Sequence, residues 1–248
     1  MEQQRLSGHE VEQKGHVEEL QVAHCAAVLS CGLDSPAPKR HPNEDALGFV
    51  YSARGCLVGV VADGHFGRES AELTVRAVLS QVVRSEGAAT SHSFVERAGM
   101  AMDLVARQLQ STNMTSACAT VVARLHQEEL IWLSCGDCRL LHVSAEGTSS
   151  YLSPLDSNWV GAGYRARELH TGHARIPYGD RILMCSDGLP ECRYGVETLL
   201  RDELARLSII GDLRTSARAL AQAALDGGGE DNIGLILIES SRDLDIGG

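Results

Sequence analysis

No segment of this 248-residue chain approaches the roughly 20 consecutive apolar residues that cross a bilayer as a helix, and no basic run rises above the background. With 33 acidic against 22 basic residues the formal net charge is -11, which argues against a general binder of nucleic acid or of anionic membranes. The first stretch, MEQQRLSGHEVEQKGHVEEL, is polar throughout and lacks the basic-then-apolar pattern of an export signal. The expectation is a cytoplasmic protein in which residues 1–20 form a disordered or weakly helical extension ahead of a single domain over residues 21–240. Internal repeats and low-complexity tracts are also missing. Of eight cysteines only Cys135 and Cys138 form a CxxC, with no second CxxC and no metal-spaced histidine pair, so neither a zinc site nor a disulfide framework is indicated. Cys25, Cys56, Cys118 and Cys185 fall in apolar runs, where a thiol behaves as a small buried hydrophobe. The HTGH stretch at His170 to His173 alternates with a strand pattern and reads as surface.

What is present is a series of strand-like runs near residues 22–31, 46–51, 56–62, 117–125, 129–135, 138–144, 167–176, 180–186 and 232–239, with a short one near 148–152. Most come in adjacent pairs joined by short turns, which favours antiparallel pairing. Helical spacing appears at Ala71, Val75, Val78 and Val82, then at Phe94, Ala98, Ala101, Val105 and Leu109. It returns at Val196, Leu199, Leu200, Leu204 and Leu207, and at Leu213, Ala217, Leu220 and Ala224. Two blocks of amphipathic helix among antiparallel strands predict an α+β fold of two packed sheets with helices on both outer faces.

Four short acidic clusters border these runs: NED at Asn43 to Asp45, VVADGHFG at Val60 to Gly67, MCSDG at Met184 to Gly188 and GEDN at Gly229 to Asn232. A single Asp-Gly pair is an ordinary turn. Here, however, ALGFVY and CLVGVV flank the turn-like SARG at Ser52 to Gly55, and a hairpin centred between residues 53 and 54 sets Asp45 almost opposite Asp63. Asp187 closes the run RILMCS and Asp231 opens IGLILI, so antiparallel pairing would bring these two together as well. Two unpaired carboxylates 4 Å apart repel by about 4 kcal/mol at an effective dielectric near 20, so a cation belongs among them. An all-oxygen donor set of Asp45, Asp63, Asp187, Asp231 and the Gly64 carbonyl favours Mg²⁺ or Mn²⁺ over zinc.

The ordered series R-x-x-N-E-D (Arg40 to Asp45), DGHFG (Asp63 to Gly67), CGDCR (Cys135 to Arg139), CSDGL (Cys185 to Leu189) and EDN (Glu230 to Asn232) resembles the motifs of the metal-dependent protein phosphatases, the type 2C Ser/Thr phosphatase family. The resemblance spans Cys25 to Glu239 and implies a four-layer αββα sandwich. It implies that Asp63 bridges two metal ions, that Gly64 lends its carbonyl, that Asp187 and Asp231 complete the second ion's shell, and that Glu44 and Asp45 act largely through metal-bound water. Arg40 would grip the phosphate with its planar, always charged guanidinium, and His65 would protonate the leaving oxygen. Asp137 and Glu191 match positions that help hold a weaker third ion.

The implied activity is metal-dependent hydrolysis of phosphoserine or phosphothreonine on a protein substrate, in opposition to a Ser/Thr kinase or on that kinase's target. The alternatives are a pseudophosphatase binding module and a phosphatase of small phosphoesters. Departures from the family pattern are visible. The segment around SNWVGAG (Ser157 to Gly163) is shorter than the usual flap, Cys138 replaces a serine, and Ala117 stands where glycine is common. Gly234 follows DNI near a usual threonine, and Glu191 replaces an aspartate.

Overall fold

The computed structural model describes residues 2–52, 55–84, 91–161 and 169–242. In chain order the first strands are β1 (Glu2–Ser7), β2 (Val17–Val22), β3 (Cys25–Ser30), β4 (Ala46–Tyr51) and β5 (Cys56–His65). Two helices follow, α1 (Glu69–Arg84) and α2 (Ser91–Ser111). The strands then resume as β6 (Ala117–His126), β7 (Glu129–Cys135), β8 (Arg139–Val143), β9 (Ser149–Tyr151), β10 (His170–Arg175) and β11 (Arg181–Cys185). The chain closes with α3 (Arg201–Ser208), α4 (Leu213–Gly227) and β12 (Ile233–Glu239).

The strands form two six-stranded antiparallel sheets, ordered β1-β4-β5-β6-β7-β10 and β2-β3-β12-β11-β8-β9. Both sheets are covered on both faces, which explains why their central strands read as unbroken apolar runs. In β5, Val58, Val60 and Ala62 pack with Val78 and Leu79 of α1 and Ala98 and Met102 of α2, while Leu57 and Val61 face the other way. In β12, Ile236 and Ile238 join that middle layer with Phe49, Leu140 and Met184, whereas Leu235 and Leu237 pack on Leu204 of α3 and Leu220 and Ala224 of α4. The layer order is therefore helices, sheet, sheet, helices, the αββα sandwich that the resemblance implies.

Two sequence readings are corrected. The polar stretch expected as a disordered or weakly helical extension is built into the sheets from Glu2 on: β1 pairs with β4 and β2 with β3, each at the edge of its sheet. An edge strand tolerates the polar composition that hid them, because one side keeps its solvent. Leu6 and Val11 are buried from this segment, and Glu19 of β2 binds Arg214 and Arg218 on α4. The apolar stripe starting at Val196 is also not helical from its beginning. Gly195 takes a left-handed φ of 70°, Val196 bridges Arg193, and α3 starts only at Arg201, which leaves Val196 and Leu200 exposed. The tip of the β4–β5 turn at 53–54 and the flap and strand residues 162–168 lie outside the described residues.

Candidate active site

The β4–β5 ladder pairs Ala46 with Ala62 and Leu47 with Val61, so one step further along the register Asp45 faces Asp63. In the other sheet β11 pairs with β12, Cys185 opposite Leu235, and the chain leaves β11 into Asp187 close to where Asp231 enters β12. The two Asp-Gly corners share one construction. A Cβ on Gly64 would lie 2.2 Å from the Glu44 backbone oxygen, and one on Gly188 only 2.0 Å from that of Asn232. Each corner is thus pressed against the acidic loop of its partner strand, in a space only glycine fits.

Asn232 ties the two sheets' edges together. Its Nδ2 donates to the backbone oxygens of Cys31 and Pro42, both at 2.9 Å, while its Oδ1 accepts from Glu44 N at 2.9 Å and Lys39 Nζ at 2.7 Å. Asn43 does similar work on the NED loop: Nδ2 donates to Val11 O at 3.1 Å and Oδ1 accepts from Asp45 N at 3.1 Å. The N-terminal segment therefore supports the acidic edge directly. Glu44 is buried, and its Oε1 accepts from the backbone N–H of Arg40 (2.9 Å) and His41 (3.1 Å), shaping the loop that carries Lys39 and Arg40. Arg40 is exposed at the lip, where Nη1 donates to Phe66 O at 3.2 Å.

Burial drives the carboxyl groups upward. Desolvation, then the charges of Asp187, Asp45 and Asp231, raise the Asp63 carboxyl well above its ordinary range. Asp187 is pushed up to about 7, first by burial and then by Asp231, and Asp45 to about 6, first by burial. Among the described residues, both oxygens of Asp45 and Oδ1 of Asp137 are buried and meet no hydrogen-bond donor in regular geometry. Asp63, His65 and Asp137 each bring one ligand atom within 4.8 Å of the others. Buried orphan oxygens and mutually repelling carboxylates are what a hard cation would satisfy, so this donor set fits a divalent ion.

A cation is already supplied by the chain. Lys39 Nζ donates to Asp231 Oδ1 as well as to Asn232. Burial alone would lower the Lys39 ammonium, but Asp231, Asp45 and Asp63 more than offset it and hold it above its ordinary value. The motif pattern gave no sign of this residue, because nothing in its spacing separates it from a surface lysine beside Arg40.

His65 follows the acidic corner at the end of β5. Its ring lies 4.6 Å from that of Trp159, centroid to centroid, and its buried Nε2 has no hydrogen-bond partner among the described residues. Burial lowers its pKa, against the opposing pull of Asp137. Trp159 comes from the short segment that stands in place of the flap, pinned by the paired backbones of Val160 and Cys118. Phe66 is exposed, edge-on to Trp159 at 6.5 Å, and holds a left-handed φ of 60° that a bulky side chain rarely adopts. Its carbonyl is taken by Arg40 and that of Gly67 by Ser116 Oγ at 2.6 Å, which keeps the strained corner in place. Glu191 has a different neighbour from Asp137: its Oε1 accepts from Nη2 of the buried Arg139 at 3.0 Å, while Arg139 Nη1 binds Glu197 at 2.9 Å. That oxygen of Glu191 is committed to Arg139.

A family model described as stage II sporulation protein E (SpoIIE) matches residues 54–240. No curated protein matches the chain by sequence. Among solved structures, a bacterial serine phosphatase variant is similar at a TM-score of 0.73 and 19% identity, over 88% of this chain and 98% of that one. The catalytic domain of a serine/threonine protein phosphatase, PstP, in complex with two manganese ions, gives a TM-score of 0.70 at 19% identity, over 87% and 96%. PppA of Pseudomonas aeruginosa, described as a key regulatory component of T6SS, gives 0.68 at 19% identity, over 90% and 100%. The chain belongs to the SpoIIE family and has the fold of the type 2C protein phosphatases.

Proposed function

We propose that the chain is a cytoplasmic, metal-dependent serine/threonine protein phosphatase whose partners are a phosphorylated protein and, in the same circuit, the kinase that phosphorylates it. The observation that carries this reading is the convergence of Asp45, Asp63, Asp187 and Asp231, from two sheets, on one buried edge of a type 2C fold. These four residues, with the Gly64 carbonyl and Glu44, would hold two Mg²⁺ or Mn²⁺ ions, and Asp137 a weaker third. When bound, such ions activate water at neutral pH and neutralise charge on the phosphoryl oxygens.

The chain's own groups do the rest. Arg40 stands exposed at the lip with much of its guanidinium free to fork onto a phosphate. The Phe66 carbonyl fixes the direction of that fork. His65 is held by Trp159 beside the acidic corner and delivers a proton to the departing serine or threonine oxygen. Its depressed pKa makes it a readier donor once protonated, at the cost of a smaller protonated fraction near neutrality. Glu44 sets the Arg40 loop through two backbone hydrogen bonds and so positions the phosphate grip.

The purified protein is expected to hydrolyse p-nitrophenyl phosphate and a phosphothreonine peptide with Mn²⁺ or Mg²⁺, and to lose turnover in chelator. Unchanged turnover after exhaustive chelation would defeat the reading. A second expectation isolates the proton donor. His65→Ala should slow the phosphothreonine peptide by roughly 10²-fold or more, the usual worth of general acid catalysis, while p-nitrophenyl phosphate, whose leaving group needs no proton, is slowed far less. Equal losses on the two substrates would remove His65 from that role.

A further inference from the structure

Lys39 is a feature of this edge that the motif series does not account for. It is not a surface lysine leaning inward. Its side chain is 15% exposed and that of Asp231 is 14% exposed. The oxygen pair that receives it is fixed: Asn232 is held by Cys31 and Pro42 through its amide nitrogen, and Asp231 Oδ1 also accepts from the backbone of Asn232 at 2.7 Å. The main chain just after Lys39 is tied to Glu44 by two hydrogen bonds, and the ammonium sits at the end of a four-carbon stem that can swing clear of Asp231. This is a built ammonium site, on a carboxylate that a divalent ion would also draw on.

We propose that Lys39 is a tethered cation that competes with a divalent ion for Asp231. The inference rests on the metal-binding reading above. With Lys39 seated, one positive charge already relieves the repulsion among Asp231, Asp45 and Asp63. An ion that draws on Asp231 has to displace the ammonium and then tolerate it nearby, since two cations cannot share one carboxylate oxygen without strong repulsion. The two halves of the centre consequently fill unequally: an ion drawing on Asp45 and Asp63 binds first, and one drawing on Asp231 binds later and more weakly. The chain thereby sets its own metal threshold, with the displaced lysine free to meet the phosphate beside Arg40.

The test compares wild type with Lys39→Met, which keeps much of the length without charge, and Lys39→Gln, which keeps a donor without charge. Each is titrated with Mn²⁺ by calorimetry and melted in chelator. Both variants should melt lower in chelator, because the carboxylates lose their counter-ion, and their weakest Mn²⁺ event should tighten by roughly tenfold or more, the direction and scale that removing a nearby like charge gives. Wild-type melting and wild-type Mn²⁺ affinities in both variants would overturn the competition while leaving the metal reading intact. Failure of the wild type to bind Mn²⁺ at all would bring down the metal reading and the competition together. If Lys39→Met does not fold in chelator, recovery of its fold by Mn²⁺ supports the proposal, and a normal chelator melt with unchanged Mn²⁺ binding in Lys39→Gln overturns it.

Discussion

Asp63→Asn should reduce phosphatase turnover by roughly 10³-fold, the loss expected when several kcal/mol of metal-supplied charge stabilisation disappears, and yet make the protein more stable in chelator. Burial first, and then the charges of Asp187, Asp45 and Asp231, disfavour the ionised carboxyl, so an amide of the same volume removes the cost of keeping an acid there without leaving a cavity. Steady-state kinetics with Mn²⁺ and thermal melts with chelator check the two halves. A variant that keeps near-wild-type turnover, or that melts lower than wild type in chelator, contradicts the assignment.

The same electrostatics fix a pH dependence. Asp45 and Asp187 titrate at about 6 and about 7 in the folded protein, above the ordinary aspartate value near 4 that the unfolded chain keeps. Between these values the folded form binds more protons than the unfolded form, so stability in chelator falls as pH rises from about 4 to about 7. Below that window both states are protonated and the contribution is constant. Denaturation at pH 5 and pH 7.5 should show the fall in chelator, and saturating Mn²⁺ should remove most of it, because ions then balance the charge.

Gly188→Ala and Gly64→Ala are expected to cost about 3 kcal/mol or more each, at the upper end of overpacking, because the added methyl meets a backbone carbonyl and not a movable side chain. The damage should fall on the site: opening either corner moves Asp187 away from Asp231, or Asp63 away from Asp45, so Mn²⁺ binding weakens with stability. Gly179→Ala is the comparison. Gly179 has a left-handed φ of 90° but nothing within 4 Å of an added Cβ, so its loss should be about 1 kcal/mol with metal binding intact. Urea denaturation alongside calorimetry separates the cases, and equal losses at all three glycines would mean that the corners are not built by close approach.

The local sequence was enough for the β4–β5 hairpin, and with it for Asp45 facing Asp63, because antiparallel register has a two-residue period and short turns leave little freedom. It was enough also for α1, α2 and α4, whose apolar spacing is unbroken, and for the layer order that follows from strands buried on both faces. It was not enough for β1 and β2. Their residues are polar, and what makes them strands is an exposed sheet edge supplied by β4 and β3, tens of residues away in one case. Nor could it place the start of the helix in the Val196 stripe, since Gly195 and the Arg193–Val196 bridge turn the chain before a helix can start.

At the candidate site the division is the same. Acidic residues next to strand ends announce themselves in the sequence, because carboxylates at that density repel wherever they meet unless a cation or a proton sits among them. Which cation meets them is a long-range matter. Lys39 reaches Asp231 across 192 positions of chain, Asn232 binds Glu44 across 188, and Arg139 binds Glu191 across 52. Short-range pattern encodes only what neighbours in the chain do to one another. The sequence by itself therefore determined the donor chemistry and the pairing within each hairpin, while the packing of two sheets face to face decided how the halves join, which oxygens remain free, and that a lysine stands among them.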